Sequence, residues 1–145
     1  MNTSAMLANP FVESCPPMAP VPDGLRILYV DDSALVREGI CSGLVRKGWY
    51  CRSFASGAEA LQWLATGLET FDVIITDHQM PEMNGLEFVK NVCASGFTGR
   101  ILVHSTMLTA SEHATYEELN VDAIVPKDGN LQRLTRAIAE LQQAQ

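Results

Sequence analysis

Five short apolar runs recur along this chain, and each is followed by a stretch with helical spacing. The runs are residues 25–30 (LRILYV), 50–54, 71–75 (FDVII), 100–104 (RILVH) and 121–125. β-Branched and aromatic residues dominate them, as expected of buried strands. After the first run, Val36, Ile40 and Leu44 recur four apart, with Leu35 and Val45 beside them, behind a capping Ser33 and ahead of a closing Gly48. Ser56-Gly57-Ala58-Glu59 reads as a capping box for a helix carrying Leu61, Trp63 and Leu64 and stopped by Gly67. Asn84-Gly85 turns or caps into a helix over 86–94. Thr109 with Glu112 caps a short polar helix reaching about Leu119, and Leu131, Leu134, Ile138 and Leu141 mark the last helix behind an Asp128-Gly129-Asn130 turn. Strands alternating with amphipathic helices predict a parallel sheet covered on both faces, joined by right-handed crossovers.

Composition narrows the function. At 145 residues the chain fits one domain with a real core. Its formal charge of −7 lacks the basic face that phosphate neutralisation demands, so nucleic acid is not an expected partner. No apolar run nears the ~20 residues that span a bilayer. The first basic residue is Arg26, so no secretory n-region is expected. Cys15, Cys41, Cys51 and Cys93 show no CxxC or metal spacing and read as free thiols in a reducing cytoplasm. Residues 1–24 hold five of the seven prolines and read as an extended tail, leaving 25–145 as the folded domain.

The strand ends carry the chemistry. The first run stops at Asp31-Asp32, the third at Thr76-Asp77, the fourth at Ser105-Thr106 and the fifth at Pro126-Lys127. A parallel sheet gathers all of these on one edge, where open α/β folds bind their ligands. Three crowded carboxylates stay ionised only beside a cation, and Mg²⁺ suits oxygen ligands of this kind. Lys127 and Ser105 can stabilise a transferred phosphoryl group, for which an aspartate can be the nucleophile. Taken singly, each group is commonplace: an Asp pair often caps a helix, and a lone Asp often makes a turn.

The motifs Val30-Asp31-Asp32-Ser33, Asp77-His78-Gln79-Met80-Pro81-Glu82-Met83-Asn84-Gly85, Ser105-Thr106 and Lys127 resemble those of the receiver domains of two-component response regulators. The likeness covers about 25–145. It implies a flavodoxin-like, doubly wound five-stranded α/β sheet in the order 2-1-3-4-5. It also implies Asp77 as phosphoacceptor, Mg²⁺ on Asp31, Asp32, Asp77 and the Gln79 carbonyl, Ser105 as switch hydroxyl and Lys127 on the phosphoryl oxygens. The donor would be a phosphohistidine on a sensor histidine kinase or phosphotransfer protein. A downstream target or a second copy would read the face formed by the fourth helix, fifth strand and last helix. Such a module is a phosphoacceptor rather than an enzyme acting on other molecules.

Two features depart from that pattern. Many receivers place a proline after the lysine, often with a cis bond. Here proline precedes Lys127 and Asp128 follows it, so that bond cannot form. Ile124 stands where many receivers carry a switching aromatic, which shifts the expected signal route to loop and helix movement. His78 reads as an exposed loop residue, His104 as a satisfied core residue, and Trp49 and Trp63 as packing groups. Alternative uses are a phosphate shuttle or sink, or an aspartate-nucleophile phosphatase; the latter wants a second Asp where Gln79 stands.

Overall fold

The strands lie where the apolar runs predict them. The computed structural model describes residues 24–143; the tail expected over 1–24 falls, apart from Gly24, outside the described residues. In chain order the elements are β1 Arg26–Val30, α1 Ala34–Arg46, β2 Tyr50–Phe54, α2 Gly57–Thr66, β3 Val73–Thr76, α3 Gly85–Ala94, β4 Arg100–Ser105, α4 Ala110–Glu118, β5 Ala123–Pro126 and α5 Leu131–Gln143. All neighbouring strands pair in parallel, in the order β2-β1-β3-β4-β5. This is the flavodoxin-like sheet that the resemblance implies.

Side chains alternate across each strand, so the sheet divides the core in two. Leu28, Val30, Phe54, Ile74 and Val103 face α2, α3 and α4, where Trp63, Phe88, Val89, Val92 and Tyr116 complete one cluster. Ile27, Tyr29, Cys51, Val73, Ile75, Leu102 and Val125 face α1 and α5, with Leu44, Leu134 and Ile138. Burial on both faces is why the strands read as continuous apolar runs in the sequence.

Polar side chains set the strand limits. Asp72 was expected inside the third strand, yet β3 starts one residue later. The Asp72 carboxylate accepts from the Arg26 amide at 2.8 Å and so finishes the sheet edge from a loop. Asp122 does the same for β5, accepting from the Ile101 amide at 2.8 Å, which moves that strand's start from 121 to 123. The caps largely match expectation. Ser33 and Ser56 accept from the third helical amides of α1 and α2. Complete capping boxes form at Asn84/Glu87 and Thr109/Glu112. Gly67 ends α2 at φ 69°, a left-handed conformation that costs glycine little.

Candidate functional site

The register of the sheet brings the predicted groups together. Val30 of β1 lies between Phe54 and Thr76, so Asp31 and Asp77 leave adjacent strands side by side. The ladder continues one rung past both: Asp31 N–H donates to Phe54 O at 3.1 Å, and Asp77 N–H to Val30 O at 2.9 Å. On the far side, Lys127 N–H donates to Ser105 O at 2.8 Å. The chain after Pro126 therefore keeps running along β4, and no described peptide bond is cis. From there Lys127 Nζ reaches Asp31 Oδ2 at 2.7 Å and Asp77 Oδ2 at 3.2 Å. The lysine thus points into the site without the proline that usually follows it.

Asp31 is 1% exposed, Asp77 is buried and Asp32 is exposed. One oxygen from each of the three carboxylates lies within 4.8 Å of the others, close enough to share a metal ion. Ser105 is buried at the end of β4, Thr106 is exposed, and Gln79 sits exposed on the loop two residues past Asp77.

Burial pushes the Asp77 carboxyl above its ordinary range; the nearby Asp31 charge adds to this, while Lys127 and the His78 amide oppose it. For Lys127, burial alone would lower the pKa. Its hydrogen bond to the Asp31 carboxylate and the charges of both aspartates outweigh this, so the ammonium is held more firmly than usual. One ammonium among three carboxylates leaves the pocket anionic. An all-oxygen, anionic cluster suits a small hard cation such as Mg²⁺.

Two buried histidines flank this cluster. His78, expected in solvent, is only 3% exposed. Its Nδ1 lies 2.6 Å from the Tyr116 hydroxyl and its Nε2 3.1 Å from Glu112, so it joins the residue after Asp77 to two side chains of α4. Those partners lie 38 and 34 positions away in sequence, so no local pattern reveals the burial. Tyr116 was missed as well, although it is the lone aromatic in an otherwise polar helix, ASEHATYEE. Its ring is fully buried, while Ile124 packs half-buried against the same cluster. The aromatic beside the acidic loop therefore comes from α4 instead of β5.

His104 is buried as expected, and burial lowers its pKa to about 4. It pairs through Nδ1 with the Tyr29 hydroxyl at 3.0 Å, which in turn bonds Asp31 Oδ2 at 3.1 Å.

A profile of the response regulator receiver domain matches residues 27–139. The chain belongs to the response regulator receiver family. MprA of Mycobacterium leprae, a response regulator, is 31% identical over 81% of this chain and 50% of its own length. SphR of Synechococcus elongatus, an alkaline phosphatase synthesis transcriptional regulator, is 28% identical over 97% of this chain and 59% of its own. The receiver thus spans about half the length of these curated relatives. Among solved structures, the chemotaxis protein CheY4 of Vibrio cholerae superposes with a TM-score of 0.75 at 28% identity, covering 81% of this chain and 98% of that one. The response regulator TrrA of Thermotoga maritima, solved with Mg²⁺ and a beryllofluoride, matches at TM-score 0.71 and 25% identity, over 81% of this chain and 98% of its own.

A second charged cluster lies at the opposite, N-terminal end of the strands and escaped sequence reasoning. Glu69 accepts from Arg52 Nε at 2.5 Å, Tyr50 Oη at 2.5 Å, Trp63 Nε1 at 2.9 Å and Arg26 Nη2 at 2.9 Å. Burial alone would raise the Glu69 pKa. Its hydrogen bonds from Arg52, Tyr50 and Trp63, with the Arg52 charge, hold it below the ordinary range. The signal in the sequence was Arg52, a charge inside the apolar strand YCRSF.

Proposed function

We propose that this receiver takes a phosphoryl group onto Asp77 from a phosphohistidine of a sensor kinase or phosphotransfer protein. An Asp77 carboxylate oxygen attacks phosphorus as the bond to the donor imidazole breaks, leaving an acyl phosphate on Asp77. Asp31, Asp32, Asp77 and the Gln79 carbonyl would hold Mg²⁺, which offsets the charge of the incoming phosphoryl oxygens. Lys127 supplies a second positive charge, and the Ser105 hydroxyl donates to an oxygen of the new phosphoryl group. The observation that carries this reading is the convergence of three carboxylates and Lys127, whose pairing with Asp31 spans 96 positions.

The response is a population shift in the face made by α4, β5 and α5, read by a target protein or a second copy. The His78 bridge to Tyr116 and Glu112 supports α4 as the element that moves, because it ties that helix to the residue following the acceptor.

The test is acetyl phosphate, and separately beryllofluoride, added with Mg²⁺ and followed by intact-protein mass and by size exclusion. The expected result is a single phosphoryl adduct that Asp77→Asn abolishes. Phosphorylation that survives Asp77→Asn overturns the assignment.

A further inference from the structure

We propose that Tyr29 and His104 form a buried prop that fixes the orientation of Asp31, and so sets how tightly the acidic cluster takes a divalent cation. The inference rests on the metal-assisted reading above.

Tyr29 lies on β1 two residues before Asp31 and is fully buried among the apolar side chains facing α1 and α5. A hydroxyl in such surroundings is costly unless it is paired. It has two partners, Asp31 Oδ2 at 3.1 Å and His104 Nδ1 at 3.0 Å, but only one proton. An ionised carboxylate has no proton to give, so the phenol must donate to Asp31. His104 must then donate from Nδ1 to the phenol oxygen, which fixes the tautomer of the ring. The result is a one-way chain of donors, imidazole to phenol to carboxylate.

The rest of Asp31 is equally occupied. Its Oδ1 accepts from the Ser33 amide at 2.9 Å, and Oδ2 also accepts from Lys127 Nζ at 2.7 Å. Lys127 hangs on a long flexible stem, 19% exposed, and it faces Asp77 as well. When a cation competes for this charge the ammonium can swing aside, whereas Tyr29 cannot. Asp32, exposed to solvent, is free of this constraint on its orientation. The cluster thus joins one rigid carboxylate to an adaptable one, and Tyr29 with His104 supplies the rigidity. Such outer partners of a ligand are worth about 10–100-fold in metal affinity. Tyr29 and His104 are positioning residues here, since neither belongs to the carboxylate trio.

Isothermal titration of Mg²⁺ into the whole chain decides the matter, with a thermal melt of each variant beside it. Tyr29→Phe should bind Mg²⁺ about tenfold more weakly. The Mg²⁺ concentration that half-saturates beryllofluoride uptake should rise in step, with the final extent unchanged. His104→Leu should also weaken binding. His104→Asn, whose amide N–H can stand near the position of Nδ1, should restore most of it. A purely structural role would lower the melting temperature of Tyr29→Phe and leave Mg²⁺ affinity at the wild-type value, which overturns the inference. If Tyr29→Phe does not fold, the His104 pair decides: His104→Leu binding as tightly as His104→Asn overturns it too. Wild-type protein that takes up no Mg²⁺ refutes the underlying reading, and the inference falls with it.

Discussion

The same substitution, glycine to alanine, should have opposite effects at two helical positions of this receiver. Gly85 is the first residue of α3, and Gly39 lies inside α1; neither has a positive φ. In an open helix, alanine for glycine stabilises by up to about 1 kcal/mol, through backbone entropy in the unfolded chain and better helix propensity. A Cβ on Gly39 would meet nothing within 4 Å among the described residues, so that gain should appear. A Cβ on Gly85 would lie 2.3 Å from Tyr116 Oη, 2.6 Å from Asp77 O and 3.0 Å from His78 Cα. Two of these atoms are backbone, and Tyr116 is fully buried and bonded to His78. Relief must come from moving the loop or expelling the tyrosine hydroxyl. Overpacking costs about 1–3 kcal/mol and a stranded buried hydroxyl about 1–3 more, so against a gain of up to about 1 the net for Gly85→Ala is a loss of roughly 1–5 kcal/mol. In a protein of this size that lowers the melting temperature by roughly 10 °C, while Gly39→Ala raises it by a few degrees. Urea unfolding and thermal melts read both. A Gly85→Ala protein as stable as wild type would refute the tight contact between α3, α4 and the loop after β3 that carries Asp77 and His78.

Three further outcomes follow from the charged groups. Glu69→Gln should cost about 3 kcal/mol, because the Glu69 carboxylate is the ion-pair partner of buried Arg52 and the acceptor on which Tyr50, Trp63 and Arg26 converge. Since folding holds the Glu69 pKa below its ordinary value of 4.5, its contribution is present above that pH and lost as pH falls through the folded value. Wild type should therefore lose more melting temperature than Glu69→Gln as pH falls from neutral through and below 4.5; parallel losses would count against the cluster. Lys127→Met removes the ammonium that competes for Asp31 and Asp77. A unit charge pair at 4 Å is worth about 4 kcal/mol at an effective dielectric of 20, so Mg²⁺ should bind about tenfold more tightly or better. Calorimetry showing unchanged or weaker binding would contradict the geometry. His78→Phe fills the same buried slot but strips Tyr116 and Glu112 of their partner. Hydrogen exchange of α4 should speed up in the resting protein and lose its response to beryllofluoride; an α4 that still responds as in wild type would remove His78 from the signal route.

What the sequence revealed, and what it hid, follows the range of the interactions. The strands were legible because a sheet buried on both faces needs unbroken apolar runs, and polar residues such as Asp31 and Asp77 stop them abruptly. The carboxylate pocket was legible because parallel topology alone sends every strand end to one edge. Strand starts were less so, since the side chains of Asp72 and Asp122 finish the sheet from outside it. The burial of His78 and the hub at Glu69 were hidden for a related reason. Both are polar groups whose partners arrive from other elements, and no periodicity encodes them.

The split core also has a consequence for how such a protein can be tuned. Tyr29 is anchored in the layer under α1 and α5, whereas Tyr116 belongs to the layer under α2, α3 and α4. On the readings proposed above, affinity for the ion and stiffness of α4 would depend on residues that share no packing neighbourhood, with the sheet as a wall between them. Changes on the two sides should combine additively. A lineage, or an engineer, could then reset when the switch is loaded without altering how hard it throws.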